Sequence, residues 1–318
     1  MSLYESVRAV TAASGDGPID WAAAAAAARA AVDPGSVELS AAQRRGYATD
    51  VEDARDRIGA VAGVGFDLPG TVEVQHRHHW IDANVATFER LLAPVETRAG
   101  LLPRVARTLN TGSSAFALAF LASNVLGQYD PLLLAESEDA GHALYFVHPN
   151  IRRIAASLGV PEERFRRWIA FHEVAHAAEF GAAPWLSEHL ETRMEEGLAA
   201  LGDGRIDWSA FRELDTAMTA VEGYAELVMD RAFDDEYADL RERIDARRRG
   251  RGPIARFVRR VLGLGLKRRQ YERGKAFFDR VADVRGIEGA SRVWERPENL
   301  PSRAELDDPT AWLARVPG

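Results

Sequence analysis

The sequence of 318 residues contains no cysteine, and lysine occurs only at positions 267 and 275. Without cysteine the chain can form no disulfide, no thiolate nucleophile and no cysteine-ligated zinc site. Histidine and carboxylate side chains must therefore hold any metal ion. The chain also lacks a run of eighteen uninterrupted apolar residues, which argues against a membrane span. The phosphate-binding patterns GxGxxG, GKS and GKT are missing as well, so no nucleotide loop is indicated.

The remaining composition is ordinary for a globular protein, with 47% hydrophobic and 28% charged residues. The N-terminal stretch MSLYESVRAV lacks a basic region followed by an apolar core, so we expect no signal peptide and a cytoplasmic location. The net charge is −8, yet residues 241–275 alone carry +11, which leaves −19 elsewhere. This Arg-rich segment could contact nucleic acid or an anionic membrane. Its glycines and its lack of interleaved aromatics weaken that interpretation, so we expect its charge to be paired internally and predict no nucleic-acid partner.

The pattern along the chain is mostly helical, and the fold class predicted is mainly α with a small β-hairpin or sheet. Helices are expected to begin at Asp20 and Ser40, which are both good N-caps. The stretch SSAFALAFLASNVLG is nearly apolar and predicts a buried helix. The one clear β signal predicts a hairpin from Pro131 to His148. We expect a single domain over 1–318, with a possible weak boundary near 150 that separates a helical part with the hairpin from a second helical part.

The stretch PEERFRRWIAFHEVAHAAEFG has helix signals at both ends, with Pro161 suited to the first turn and Gly181 to the C-terminal cap. His172 and His176 lie four residues apart on its apolar face, a spacing that lets two imidazoles reach one ion. Glu173 lies about 100° further round the helix, where it can act on a metal-bound water as a base. Two satisfied core histidines would give the same spacing.

A third ligand is needed, because catalytic zinc takes three protein ligands and keeps an open position. The extended motif HExxHxxGxxH fails, since Glu179 stands in its glycine slot. The later helix around VEGYAELVMD offers Glu222 and Glu226 on one face, and burial of two acids would be costly without a cation. We assign Glu222 as the ligand and Glu226 as the acceptor that orients a ligand imidazole. The reverse assignment, or a solvated acidic face, stays open. Gly223 would let another helix approach.

Seven stretches of the sequence resemble the zincin-like metallopeptidase type 2 family, which is associated with deazaflavin coenzyme biosynthesis. They follow the family's order from Trp80 to the C-terminus. They are WIDANVATF, VLGQYD, YFVHPNI, FHEVAHAAEFGAAPWLSEHL, VEGYAELVMD, KRRQYERGKAF and ENLPSRAELDDPTAW. The resemblance implies a helical zincin-type fold, with His172 and His176 as ligands of Zn²⁺, Glu173 as the base and Glu222 as the acidic ligand.

The function predicted from these patterns is zinc-dependent hydrolysis of a peptide or small amide, as in a metallopeptidase of the HExxH-plus-Glu type. Tyr271 is our choice for the group that stabilises the oxyanion, although an ordinary packing or surface tyrosine would fit the same pattern. The strand LYFVH could hold an extended peptide by edge pairing. Two alternatives remain: a zincin-like protein that binds metal without turnover, and a binding protein that uses the Arg-rich segment on an anionic partner.

Overall fold

A computed structural model describes residues 3–11, 13, 17–96, 103–130, 142–202, 207–233, 237–249 and 267–317. Helices dominate this part of the chain, and three short strands form one mixed sheet, so the predicted fold class is confirmed. Among the described residues, none of the helices combines the length and the apolarity that a membrane crossing requires.

The chain divides into two compact units, each assembled from separated segments. Unit 1 comprises 1–39, 71–153 and 191–210, and unit 2 comprises 40–70, 154–190 and 211–318. One change from unit 1 to unit 2 falls beside the boundary suggested near 150. The prediction of a single domain over the whole chain stays a prediction.

The helices are numbered here in chain order. They are α1 (Leu3–Thr11), α2 (Trp21–Ala31), α3 (Ala41–Ala62), α4 (Arg77–Glu96), α5 (Pro103–Ala122), α6 (His148–Leu158), α7 (Glu162–Ala182), α8 (Leu186–Gly202), α9 (Trp208–Phe233), α10 (Ala238–Arg249), α11 (Lys267–Ser291), α12 (Arg303–Asp307) and α13 (Pro309–Arg315). A kink at Gly286, where φ is +71°, interrupts α11. The strands are β1 (Thr71–Gln75), β2 (Gly127–Asp130) and β3 (Ala143–Val147).

Unit 1 is built around α2, whose alanines pack against apolar side chains of α4 and α5. Asp20 caps α2 by accepting a hydrogen bond from the backbone of Ala23 at 2.8 Å, as the sequence predicted. The prediction that the SSAFALAFLASNVLG helix is buried is only half right. Leu118 of α5 is buried, but Phe116 is 58% exposed on its outer face. Apolar content alone could not separate the two faces.

The sheet of unit 1 has the order β1-β3-β2, with β1 parallel and β2 antiparallel to β3. Of the hairpin expected from Pro131 to His148, only the second strand is confirmed, as β3. Residues 131–141, which include the expected first strand, lie outside the described residues. The strand that pairs antiparallel with β3 is β2, which ends at Asp130, before the predicted range. Because β3 is the central strand, both of its edges are already hydrogen-bonded. The suggestion that LYFVH holds a peptide by edge pairing is therefore wrong.

Unit 2 holds α7 between α3 and α9. Ser40 and Gln43 form a capping box at the start of α3, as expected for a helix that begins there. Arg166 of α7 forms a buried ion pair with Asp50 of α3, with 2.7 Å between Nε and Oδ2. Phe171 of α7 also packs against Phe233 of α9, with ring centroids 4.2 Å apart. These contacts fix the rotation of α7 and hence the direction of its histidines.

The crossing of α9 and α11 is unusually close. A Cβ atom added to Gly223 of α9 would lie 2.3 Å from the carbonyl carbon of Gly274 on α11. A Cβ atom added to Gly274 would lie 2.2 Å from the carbonyl oxygen of Thr219. The expectation that Gly223 admits a neighbouring helix is confirmed. The close approach fixes α9 directly beside Glu222.

Candidate metal centre

Helix α7 runs from Glu162 to Ala182, so the helix predicted around the HExxH motif is confirmed, with Pro161 at its N-cap position. Its predicted end is displaced. Gly181 lies inside the last turn and does not cap the helix, and a Cβ atom there would lie only 2.9 Å from Cβ of Phe66. Close packing against Phe66, and not a left-handed cap, therefore explains why position 181 is a glycine.

His172 and His176 lie one turn apart on α7, and their Nε2 atoms face each other across 3.3 Å. Glu222 of α9 completes the group, with its Oε2 3.8 Å from Nε2 of His172. One potential ligand atom from each of the three residues lies within 4.8 Å of the other two. The structure thus brings together the two histidines and the acid that the sequence singled out.

The geometry of these three donors suits zinc. Zinc–nitrogen bonds of about 2.0–2.1 Å in a tetrahedral site put neighbouring ligand atoms about 3.3 Å apart. The two Nε2 atoms already have this separation, the carboxylate oxygen lies 3.8 Å from Nε2 of His172, and the three ligand atoms lie within 4.8 Å of one another. Two imidazoles and one carboxylate are also donors that zinc commonly takes. The residues present therefore fit the ion.

The second ring nitrogen of His176, Nδ1, contacts Glu179. Nδ1 of His176 lies 2.8 Å from Oε2 of Glu179, and this carboxylate is fully buried. Glu226, the residue expected to orient a ligand imidazole, accepts a hydrogen bond from Arg241 of α10. Sequence alone did not single out Glu179, which breaks the HExxHxxGxxH pattern, although its position three residues after His176 is a spacing at which side chains on a helix meet.

Buried carboxylates dominate the electrostatics of the site. Burial by itself lowers the pKa of His176, but the hydrogen bond to Glu179 and the charges of Glu179, Glu222 and Glu173 outweigh burial and raise it to about 9. Burial raises the pKa of Glu179 to about 7 against the opposing contact with His176. Several carboxylates therefore surround two imidazoles, and the site favours a positive charge.

Glu173 is buried on α7, directly after the first histidine. Its charge contributes to the raised pKa of His176, which places it in the electrostatic field of the site. Tyr271 lies in the first turns of α11, but its side chain is outside the described residues.

Three basic residues of the Arg-rich segment form ion pairs within unit 2. Arg241 contacts both Glu226 and Asp230, and its guanidinium lies 5.5 Å from the ring centroid of Trp168. Arg273 and Lys275 form ion pairs with acids of their own unit. For these residues the expected internal pairing is confirmed. Residues 250–266 of the segment lie outside the described residues.

The family model described as zincin-like metallopeptidase matches residues 19–206 and 205–313. The chain belongs to this family. It is also similar to a solved structure from Chloroflexus aurantiacus, described as "a putative hydrolase with a novel fold". The two chains are 32% identical, the match covers 99% of this chain and 98% of the other, and the TM-score is 0.73. The comparison with curated proteins gave no match.

The family implies a metal-dependent hydrolase, and the three-residue site is where this zincin-like chain could hold the metal.

Proposed function

We propose that this zincin-like protein is a zinc-dependent hydrolase that cleaves peptide or small amide bonds. The observation that carries the proposal is the convergence of His172, His176 and Glu222 within 4.8 Å, with Glu173 beside them on the same helix as the histidines. Membership of the family supports the same conclusion independently.

The exposure of the ligands favours a catalytic over a structural metal. The side chains of His172 and His176 are 18% and 14% exposed, whereas that of Glu222 is 6% exposed. A structural zinc is closed off by four protein ligands, while a catalytic one keeps a position for water. Two histidine ligands that retain access from solvent, beside a buried carboxylate, correspond to the second kind of site.

Zinc held by His172, His176 and Glu222 would lower the pKa of a bound water to about 7 and polarise the substrate carbonyl. Glu173 accepts a proton from the attacking water as the new carbon–oxygen bond forms. It returns that proton to the leaving nitrogen as the carbon–nitrogen bond breaks, which balances the hydrolysis. Glu173 can do this because its carboxylate is on the motif helix but is not needed as a ligand.

The remaining roles follow from the sequence. Tyr271 keeps its proposed role as the donor to the developing oxyanion, since α11 carries it within unit 2. Glu226 supports the site indirectly. Its contact with Arg241 ties α9 to α10 one turn beyond Glu222 and so helps to hold Glu222 in place. The substrate we propose is a peptide or a small amide.

The experiment that tests the proposal is metal analysis of the purified protein, followed by a screen of peptide and amide substrates. We expect about one zinc per chain, hydrolysis that a chelator abolishes, and recovery when zinc is added back. A protein that neither retains nor takes up zinc would overturn the proposal. Tight zinc binding with no hydrolysis across the screen would instead favour a zincin-like protein without turnover.

A further inference from the structure

Glu179 occupies a position that the proposed chemistry has not yet used. It follows His176 by three residues on α7, so the two side chains lie on the same side of the helix. Its carboxylate has no solvent exposure, and Oε2 lies 2.8 Å from Nδ1 of His176. The contact is therefore a hydrogen bond of ordinary length in an interior position, at the ring nitrogen that points away from His172.

We propose that Glu179 is a positioning residue that holds the His176 ring with Nε2 directed at the metal. This inference rests on the proposed function, because it needs the ion at His172, His176 and Glu222. It assigns to Glu179 the part that the sequence alone gave to Glu226.

The hydrogen bond decides which nitrogen of His176 is available. When Nδ1 donates its proton to Glu179, the lone pair remains on Nε2, the atom that faces Nε2 of His172 across 3.3 Å. A carboxylate at the second nitrogen also makes the imidazole a stronger donor to a metal. Without Glu179 the ring could carry its proton on either nitrogen and could rotate about its side-chain bonds.

Burial of the Glu179 carboxylate costs free energy that a purely structural role would not require. A fully buried carboxylate loses its hydration, so it needs a hydrogen-bond partner inside the protein. An apolar residue would fill the same interior position at lower free energy. A cation-binding imidazole gives the carboxylate a partner, which explains an acid at this position better than packing does.

The test compares Glu179→Ala and Glu179→Gln with the parent protein and with Glu163→Gln, an exposed acid of the same helix. Zinc affinity is measured by competition with a chromogenic chelator. Loss of such a carboxylate typically weakens metal binding about 10–100-fold, and we expect that range for Glu179→Ala. Glu179→Gln keeps an oxygen acceptor but no charge, so its loss should be smaller, about 10-fold or less. Glu163→Gln should match the parent.

A second measurement separates positioning from stability. In the zinc-loaded parent, long-range proton–nitrogen NMR should show His176 with a slowly exchanging proton on Nδ1. That signal should shift in Glu179→Gln and be lost to exchange in Glu179→Ala. A residue that merely supports packing would lower the melting temperature without changing this signal. If Glu179→Ala does not fold, the Glu179→Gln spectrum and affinity decide the matter.

The outcomes separate the two proposals. A parent protein that binds no zinc overturns the proposed function, and this inference with it. A parent that binds zinc tightly, with Glu179→Ala and Glu179→Gln equal to it in affinity and in the Nδ1 signal, overturns this inference alone. The measurements need no substrate, so they remain decisive even if hydrolysis is never detected.

Discussion

Helices α2 and α7 are both rich in alanine and both largely buried, yet they differ in what they bury. Helix α2 has the sequence WAAAAAAARAA and buries Trp21 together with four alanines. Helix α7 has alanines between charged residues and buries Arg166, Glu173 and Glu179 among its aromatic side chains. Each helix supports the core of its own unit, but only α7 brings charge into it.

This difference indicates which of the two helices carries the groups of the proposed metal site. Alanine lets helices pack closely without polar groups to satisfy, so α2 needs no partner beyond apolar surface. Each buried charge on α7 needs compensation. Arg166 finds it in Asp50, and Glu179 finds it in His176. Buried charge, and not helix composition, therefore distinguishes the metal-site helix from a scaffold helix.

The largest effect is expected at Glu173. Glu173→Gln keeps the size of the side chain but cannot take the proton from water, so hydrolysis should fall about 10²–10⁴-fold. Zinc content should stay near that of the parent, because Glu173 is not one of the three ligands. Rates on a verified substrate and metal analysis of the same preparation give both quantities.

His172→Ala is the matched comparison for that variant, since it should lose zinc and activity together. Loss of zinc in Glu173→Gln would place Glu173 in the coordination shell. Full activity in Glu173→Gln would contradict its role as base.

The next largest effect is expected at the buried ion pair that joins α7 to α3. Arg166→Met removes the main partner of Asp50 and leaves a carboxylate that is only 6% exposed. Breaking a buried pair from one side typically costs about 3–5 kcal/mol. Urea unfolding at neutral pH should show a loss of this size, whereas Arg166→Met combined with Asp50→Leu should recover most of it.

The same variant should depend on pH. Burial raises the pKa of Asp50 even in the parent, despite the hydrogen bond and charge of Arg166. Without Arg166 that pKa rises further above its unfolded value. A raised folded-state pKa favours folding below the unfolded pKa and loses that contribution as pH rises. The stability deficit of Arg166→Met should therefore shrink as the pH falls toward 4. A deficit that is constant with pH would indicate lost packing and not a stranded charge.

The sequence was sufficient for the parts of the site that depend on spacing along one helix. The i, i+4 histidines of α7 and the acid Glu222 came from periodicity and from the cost of buried charge. The partner of His176 was within reach of the same reasoning, because Glu179 follows it by three residues on α7. Spacing alone does not tell which of the nearby carboxylates is buried against the ring, and that depends on the packing around α7.

The same contrast between local and long-range information holds for the fold. Local signals at Asp20 and Ser40 marked the starts of α2 and α3 correctly, because a capping side chain acts within one turn. The parallel pairing of β1 with β3 joins residues about seventy positions apart. No local pattern contains that contact, so β3 was taken for a hairpin strand with a free edge when it is the centre of the sheet.

A smaller effect is expected at the crossing of α9 and α11. Gly223→Ala would place Cβ 2.3 Å from backbone of Gly274, which cannot yield as a flexible side chain does. Overpacking of this kind typically costs about 1–3 kcal/mol. Zinc affinity should fall as well, because Glu222 is the adjacent residue. Thermal unfolding and chelator competition measure the two losses.

Gly59→Ala on α3 is the control for that crossing, since the nearest atoms to its added Cβ lie at 3.6 Å and 3.8 Å. Alanine is favoured over glycine inside a helix by about 1 kcal/mol, so this variant should be as stable as the parent or slightly more stable. Equal behaviour of Gly223→Ala and Gly59→Ala would show that α9 and α11 do not approach as closely as described.

The smallest effect is expected on the exposed face of α2, where Arg29 forms an ion pair with Asp82 of α4. Their side chains are 37% and 52% exposed, so water and salt screen the attraction. Surface pairs of this kind contribute about 0–1 kcal/mol. Arg29→Met keeps the apolar stem and should lose less than 1 kcal/mol in urea unfolding, with the loss reduced further at high salt. A loss as large as that of Arg166→Met would break the contrast between the two helices, because charge on α2 would then matter as much as charge inside α7.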